Sequence, residues 1–272
     1  MTPVEPADGS VFFEGEFGLL RGLAEGVSAG FTTRKSGPGA PASRLALVLA
    51  AALGAPSARV ALARQVHGRR VLVVDGTTSL AGAGPVGEGD ALATREPDVL
   101  LGIQSADCVP ILLADTAGPW IAAAHAGWRG TAARILDAVL DLFEKEGVPA
   151  SRLAVAIGPC ISQRRYEVGP EVVEALAGSH AHLDVPTDAV RPGHHDRSHV
   201  DVAAFNKAVI LRRGVSSARI LDAALCTAER PDLFPSYRRD GAGAGRIVTG
   251  IVRPGGRAGS SRPLSWPHAA SA

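Results

Sequence analysis

The chain has few cysteines, no excess of either charge and no long apolar run. Three cysteines in 272 residues argue against a disulfide framework and favour a reducing compartment. The chain has 28 basic and 27 acidic residues, so its charge balance does not indicate binding to nucleic acid or to a membrane surface. The most apolar stretch, residues 109–126, contains Pro110, Asp115, Pro119 and His125. It therefore does not resemble a transmembrane helix of about 20 apolar residues.

The beginning of the chain has no basic segment followed by an apolar run, so we expect no secretory signal and a cytoplasmic location. Hydrophobic residues make up 46% of the chain and charged residues 20%, which is typical of a globular protein. We expect one catalytic domain over residues 1–253, including a loose arm at residues 1–10. Residues 254–272, rich in Gly, Ser, Pro and Ala, are expected to form a disordered tail.

Apolar runs separated by turn residues predict many short strands and a few helices. Strands are expected at residues 60–63, 71–74, 99–104, 111–114, 120–124, 153–157, 219–221 and 247–252. Helices are expected at residues 43–53, 131–146, 170–176 and 202–211. In the second helix, Thr131 is the expected N-cap and Gly147 the expected end. Strands and helices that do not alternate strictly predict a layered α+β domain.

Four short segments stand out because each begins where an apolar, strand-like run ends. They are RQVHG at residues 64–68, SADCVP at 105–110, HAGWRGT at 125–131 and GPCI at 158–161. Rigid strands fix the start of such segments, and their glycine-rich exits leave room for side chains to converge. We therefore expect these segments to build one functional site.

One thiol and two imidazoles in these segments have the chemistry of a zinc site. Cys108, His67 and His125 would supply three ligands and leave a fourth position for water or substrate. Because the three lie far apart along the chain, tertiary structure has to assemble them. Each also has a structural reading: the cysteine as a small buried apolar residue, and each histidine as a hydrogen-bonded polar residue.

Further residues in or near these segments have two readings each. Arg129 is either a partner in an ion pair or a clamp for a substrate phosphate, since its planar guanidinium suits that anion. Arg238 and Arg239 form a local basic cluster that could also bind a phosphate. Cys160 is either a second reactive thiol or a residue with a structural or pocket-lining role.

A histidine-rich loop contains His194, His195 and His199. This composition is found in metal-binding tracts, but proline, glycine and aspartate surround the histidines. We interpret the segment as a solvated loop.

Taken together, the four segments resemble, in order and spacing, the YfiH family. Its members have been called multicopper polyphenol oxidases, laccase-domain proteins and purine nucleoside phosphorylases. The sequence GFTTR at residues 30–34 resembles an early family motif, and CT at 226–227 with SYRRDG at 236–241 resembles a late one. The resemblance covers residues 28–253. The chain departs from the pattern at residues 35–43, where a longer family segment and its N-L-G-x-H-x-G motif are missing.

The resemblance implies a single α/β/β/α domain, with two facing sheets and outer helices, similar to the catalytic domain of cytotoxic necrotizing factor. It also implies one zinc ion on His67, Cys108 and His125, with copper as the less favoured metal. Asp107, which precedes Cys108, is a candidate proton shuttle or a residue that orients the ligands.

The implied function is zinc-dependent phosphorolysis of a purine nucleoside, namely inosine, guanosine, adenosine or methylthioadenosine, together with deamination of adenosine at the same zinc. Cys108, His125 and Asp107 are the candidate catalytic residues. We expect substrate contacts from four further residues: Gln65, Arg129, Arg34 and Cys160. The partners would then be a purine nucleoside and phosphate, with no nucleic acid or membrane, in a monomer or a homodimer.

Three other functions use the same segments differently. In a thiol hydrolase, Cys108 would be the nucleophile and His125 its base, without a metal. A copper-dependent phenol oxidase would need several copper ions, yet only two of the 8 histidines lie in the main segments. The last alternative is a factor that binds or edits cell-wall precursors.

Overall fold

The computed structural model describes residues 11–80 and 84–255. The expected arm at residues 1–10 and residues 256–272 of the expected tail lie outside this part. The strands are β1 Val11–Glu14, β2 Phe17–Leu20, β3 Ser28–Thr32, β4 Arg59–Leu62, β5 Val71–Val74, β6 Ala91–Thr94, β7 Val99–Ser105, β8 Val109–Asp115, β9 Ile121–Ala126, β10 Leu153–Ile157, β11 Glu167–Val168, β12 Val190–Pro192, β13 Ser198–Val200, β14 Ile220–Asp222 and β15 Ile247–Val252. The α-helices are α1 Ala42–Ala52, α2 Trp128–Ala132, α3 Ile135–Lys145, α4 Pro170–His180, α5 Val202–Arg212 and α6 Tyr237–Asp240.

Two mixed six-stranded sheets form the centre of the protein. The first has the order β1-β2-β3-β15-β7-β4, and the second has the order β14-β10-β8-β9-β6-β5. Most neighbours are antiparallel, whereas β4 with β7, β5 with β6, and β10 with β14 are parallel. A small third sheet has the order β11-β13-β12. None of the helices in the described part is long and apolar enough to span a bilayer.

The two large sheets face each other and helices cover their outer faces. Apolar side chains from both sheets, including Phe31, Leu101 and Leu112, form one buried cluster between them. A second cluster joins the second sheet to α3, α4 and α5, and a third joins α1 to the first sheet. The result is the mixed α+β domain that the sequence predicts, with helix, sheet, sheet and helix in layers.

The amphipathic face of α3 shows what holds the outer layer in place. Leu136, Val139, Leu140 and Phe143 are each 3% exposed or less, on the face that packs against the second sheet. Burying one such side chain contributes about 1.5–3 kcal/mol before conformational entropy is subtracted. The apolar spacing that predicts a helix here also places these side chains on the face that packs against the second sheet.

The helix expected at residues 131–146 is wrong as a single element. It is two helices, α2 and α3, because Arg134 takes a left-handed backbone conformation with φ 65° between them. Thr131 is not a cap: it lies inside α2, and its hydroxyl accepts a hydrogen bond of 2.9 Å from Asn206 of α5. This contact anchors α2 separately from α3. Gly147, with φ 75°, follows the end of α3 as expected.

Every expected strand is present, but several observed strands were not predicted. The first three strands, β6 and the small third sheet are missing from the sequence-based expectation. The sequence of β6 is ALAT, which is short and alanine-rich and, apart from Thr94, has none of the residues that are enriched in strands. It is nevertheless fully buried between β5 and β9. Tertiary burial, more than local propensity, therefore makes it a strand.

Candidate metal centre

Adjacent strand ends bring two of the three expected ligands together. His125 lies near the end of β9, and Cys108 lies in the turn just before β8. These strands are antiparallel neighbours in which Pro110 pairs with His125, so the turn and the strand end meet. His67 arrives from the loop that follows β4 in the opposite sheet. The centre is thus built at the ends of strands, from residues that follow or precede strands of both sheets.

The donor atoms of His67, Cys108 and His125 all lie within 4.8 Å of one another. Cys108 Sγ is 3.9 Å from His67 Nε2, and the two imidazole rings stand edge to face with centroids 4.8 Å apart. Exposure falls from His67, which is exposed, through the half-buried Cys108 to the buried His125. One thiolate and two imidazoles match the ligand types of a zinc site with an open position. The donor set therefore fits a single metal ion.

Asp90, just before β6, connects both histidine ligands and was missed by the sequence reasoning. Its fully buried carboxylate accepts a hydrogen bond of 2.9 Å from His125 Nδ1. The same carboxylate accepts backbone N–H bonds from Val66 (3.2 Å), His67 (2.8 Å) and Gly68 (2.7 Å). Because Nδ1 of His125 bonds to Asp90, the lone pair of Nε2 is available to a metal.

These hydrogen bonds also account for an unusual backbone conformation at His67. Its φ is 61°, in the left-handed region that residues other than glycine rarely adopt. The carboxylate of Asp90 accepts hydrogen bonds from three consecutive N–H groups of this loop, and these bonds stabilise the strained turn. Burial alone would raise the pKa of Asp90, but the bonds from His125 and the loop lower it overall. Asp90 is therefore a charged anchor.

Gly127 is required by the packing of the ligands. A Cβ at this position would lie 2.8 Å from Cys108 Sγ and 3.1 Å from His67 Cδ2. No larger residue fits unless a ligand moves. The glycine of the HAGWRGT segment therefore has a steric role beside the metal ligands.

The electrostatics of the centre favour a thiolate. Burial raises the pKa of Cys108, but hydrogen bonds and positive charge from His125 and His67 lower it to about 6. For His125, burial lowers the pKa, whereas Asp90 and Cys108 raise it to about 9. In the absence of a metal, the centre therefore holds a thiolate next to an imidazolium at neutral pH.

Asp107 lies beside the centre, but both of its carboxylate oxygens already accept hydrogen bonds. One accepts from the hydroxyl of Thr227 and the other from the backbone N–H of Arg238, each at 2.6 Å. Its own carbonyl accepts the N–H of Ile161 at 2.9 Å. This buried residue, with φ 97°, joins the turn before Cys108 to two other segments. Its expected catalytic role stays a prediction.

Two arginines stack on aromatic rings close to the centre. The guanidinium of Arg129, in α2, lies 4.3 Å from the ring centroid of Trp128, and that of Arg238 lies 4.9 Å from the ring of Tyr166. Burial is the main cause that raises the pKa of Tyr166 to about 12, and both arginines oppose that rise. Within residues 11–80 and 84–255, Arg129 forms no ion pair. Its guanidinium edge is therefore free to meet an anion.

The other expected substrate residues have structural contacts of their own. The side-chain amide of Gln65 forms two hydrogen bonds of 2.8 Å with the backbone of Gln104. Arg34 forms an ion pair of 2.9 Å with Asp240. Cys160 lines a separate cavity that none of the three metal-ligand candidates lines. The substrate contacts of these residues stay predictions.

The histidine-rich loop does not assemble a second centre in the described part of the chain. His194 Nδ1 lies 2.7 Å from Glu167 Oε1, and His199 Nε2 lies 3.8 Å from the same oxygen. Among the described residues, the group of His67, Cys108 and His125 is the one cluster of three or more candidate ligands. His194 and His195 lie in the turn between β12 and β13, as the interpretation of a loop predicts, but His199 lies within β13 and pairs with Arg191 of β12, so the interpretation is wrong for His199.

Comparison with known proteins gives consistent matches over most of the chain. A model of the family described as multi-copper polyphenol oxidoreductase laccase matches residues 40–254. The chain is 36% identical over 262 residues to the purine nucleoside phosphorylase of Deinococcus radiodurans, covering 90% of this chain and 97% of that one. It is 38% identical over 217 residues to adenosine deaminase RL5 from an unknown prokaryotic organism, covering 76% and 80% respectively. The crystal structure of YlmD from Geobacillus stearothermophilus superposes with a TM-score of 0.80 at 28% identity, covering 90% of this chain and 99% of that one.

Proposed function

Because the chain belongs to the multi-copper polyphenol oxidoreductase laccase family, also called the YfiH family, we propose that it is a zinc-dependent purine nucleoside phosphorylase that also deaminates adenosine. The observation that carries the proposal is the convergence of His67, Cys108 and His125 within 4.8 Å. The names of the relatives from Deinococcus radiodurans and of adenosine deaminase RL5 support a nucleoside as the substrate.

The ligand set favours zinc over the copper that the family description names. A soft thiolate with two imidazoles is a common zinc set, and Asp90 gives it the carboxylate–histidine contact that zinc sites use. Phenol oxidation of the laccase type needs several copper ions, and the described residues gather one candidate cluster. Bound zinc would supply Lewis acidity at its open coordination position.

The chain's own residues account for the second substrate, phosphate. Arg129 presents a guanidinium held on Trp128, and its side chain is exposed beside the centre. Arg238 is fixed by its backbone bond to Asp107 and by the ring of Tyr166. Two oriented guanidinium groups can hold phosphate through charge-assisted hydrogen bonds and position it for attack on the nucleoside.

A turnover panel tests the proposal. Purified protein is incubated with inosine, guanosine, adenosine or methylthioadenosine, with and without phosphate, and the free base is measured. We expect base release that depends on phosphate, and conversion of adenosine to inosine that does not. Arg129→Ala should lower the phosphate-dependent rate, whereas Arg191→Ala, at an exposed arginine paired with Asp188, serves as the matched control. The proposal fails if no base appears in any phosphate-containing reaction.

A second candidate, a thiol hydrolase, is favoured by one specific observation. The low pKa of Cys108 and the high pKa of His125 describe an activated nucleophile next to a proton donor. Such an enzyme would keep its activity after chelation and lose it on alkylation of Cys108. Similarity to the cytotoxic necrotizing factor domain, the alternative role in cell-wall precursor editing and the expected monomer or homodimer remain predictions.

A further inference from the structure

Two cysteines outside the metal centre lie directly opposite each other on neighbouring segments. The N–H of Cys160 donates to the carbonyl of Leu225 at 3.1 Å, and the N–H of Thr227 donates to the carbonyl of Cys160 at 3.0 Å. This pattern makes Cys160 and Cys226 partners in a parallel β-bridge. Both thiols are free.

The pairing places the two residues within reach of a covalent bond. Neighbouring extended segments lie about 4.8 Å apart, and paired residues project their side chains to the same face. Disulfides form between residues whose Cα atoms are about 4.4–6.8 Å apart. The N–H of Ser162 donates to Cys226 Sγ at 3.2 Å, so this sulfur is directed towards the segment that carries Cys160. Side-chain rotation alone could then join the two sulfurs.

Access to the pair comes from a cavity of about 910 Å³ that both cysteines line. Its wall carries the ion pairs Lys207–Asp222 and Arg164–Glu229, and the volume suits a small organic molecule. We propose that Cys160 and Cys226 form a reversible disulfide, made by exchange with a low-molecular-weight disulfide that enters this cavity.

The exchange balances in two steps. The thiolate of Cys226 attacks one sulfur of the small disulfide, which forms a mixed disulfide and releases one small thiolate. The thiolate of Cys160 then attacks the Cys226 sulfur and releases the second small thiolate. The protein loses two protons and two electrons, and the small disulfide is reduced to two thiols.

The reaction is expected to be slow at neutral pH and faster in alkaline solution. Burial raises the pKa of Cys160 well above that of a free thiol. The negative charges of Asp222, of Asp201 and of a thiolate at Cys226 raise the pKa of Cys160 further, whereas the positive charge of Lys207 lowers it. The reactive thiolate of Cys160 therefore forms more readily as the pH rises.

The bridge would stabilise the wall that supports the metal centre. Ile161, next to Cys160, donates to the carbonyl of Asp107, and Thr227, next to Cys226, donates to the carboxylate of the same residue. Closing a loop of about 65 residues restricts the unfolded chain, so we expect the melting temperature to rise by about 5–10 °C.

Oxidation of the zinc-loaded full chain with excess glutathione disulfide tests the inference. Intact mass, peptide mapping without reduction and thermal unfolding are measured before and after oxidation. We expect a loss of two hydrogen atoms, a cross-linked peptide pair that contains Cys160 and Cys226, and a higher melting temperature that dithiothreitol reverses. The inference is overturned by three free thiols, by a stable mixed disulfide, or by a bridge that includes Cys108.

Matched variants assign the effect. Cys160→Ser and Cys226→Ser should each abolish the bridge and the oxidant-dependent rise in melting temperature. If either variant fails to fold, peptide mapping of the unaltered chain decides alone. The bridge does not depend on the proposed function, because its formation is read from mass and thermal stability and needs no nucleoside turnover.

Discussion

Asn in place of Asp90 is the most informative single perturbation of the centre. The change keeps the shape of the side chain but replaces one acceptor oxygen with an amino group and removes the charge. If the amino group takes the place of Oδ2, it faces the N–H donors of Val66 and Gly68. If it takes the place of Oδ1, it faces the N–H of His67 and Nδ1 of His125.

Either orientation of the Asn side chain destabilises the protein, and the size of the destabilisation follows from the hydrogen bonds that are lost. In the first orientation two of the four hydrogen bonds to the carboxylate are lost, and each bond to a charged group is worth about 1.5–3 kcal/mol, so the free energy of unfolding should fall by about 3–6 kcal/mol. In the second orientation His125 must shift its proton to Nε2, which removes the lone pair that a metal needs. Loss of such a supporting contact typically lowers metal affinity by about 10–100-fold.

Two measurements check this expectation. Zinc affinity is obtained by competition with a chelator, and the free energy of unfolding by urea titration of metal-free protein. Asp188→Asn, at an exposed aspartate paired with Arg191, is the control and should change stability by less than about 0.5 kcal/mol. Zinc affinity and stability equal to those of the unaltered chain would refute the reasoning about Asp90.

Three further predictions follow from the same contacts. Arg129→Lys should raise the KM for phosphate by about tenfold or more, because lysine keeps the charge but loses the planar fork; an unchanged KM returns Arg129 to a packing role on Trp128. Gly127→Ala should weaken zinc binding by about tenfold or more, since the new Cβ would lie 2.8 Å from Cys108 Sγ; normal affinity would contradict the packing argument. In chelated protein, alkylation of Cys108 should be fast at pH 7 and should slow down as the pH falls through about 6. The reason is that the lowered pKa of Cys108 leaves its sulfur as the reactive thiolate above about pH 6. Equal alkylation rates with and without zinc would show that Cys108 is not a ligand.

The three candidate ligands were predictable from the sequence because each stands where a rigid apolar run gives way to a glycine- or proline-containing exit. Cys108 and His125 occupy the facing ends of neighbouring strands, and this placement follows from hydrophobic patterning. His67 also follows an apolar run, but its meeting with the other two ligands was not predictable from patterning, because it depends on a loop from the other sheet.

Asp90 could not be predicted in the same way, because its role depends on contacts with residues more than twenty positions away. Its one local signal is a carboxylate placed directly before a buried run, in the sequence DALAT. Such a group has to find donors when it is buried. The break at Arg134 was also hidden, because the apolar spacing continues across it and the hydrogen bond that anchors α2 comes from Asn206 of α5, far along the chain.

The sequence also did not show how much of the polar chemistry is structural. Gln65, Arg34 and Asp107 belong to family-like motifs, and their side chains hold backbone segments in place around the centre. A motif identifies the residues that a site needs. It does not distinguish residues that contact the substrate from residues that hold the contacting residues in position.

Zinc content measured together with turnover decides whether His67, Cys108 and His125 hold a catalytic zinc ion. We predict about one zinc per chain. Chelation should abolish phosphate-dependent base release, and added zinc should restore it in proportion to the metal bound. Cys108→Ser should lose both zinc and activity, whereas Cys226→Ser should keep both. Full activity in metal-free protein, or full zinc occupancy in Cys108→Ser, would contradict the account and favour the dyad of Cys108 and His125.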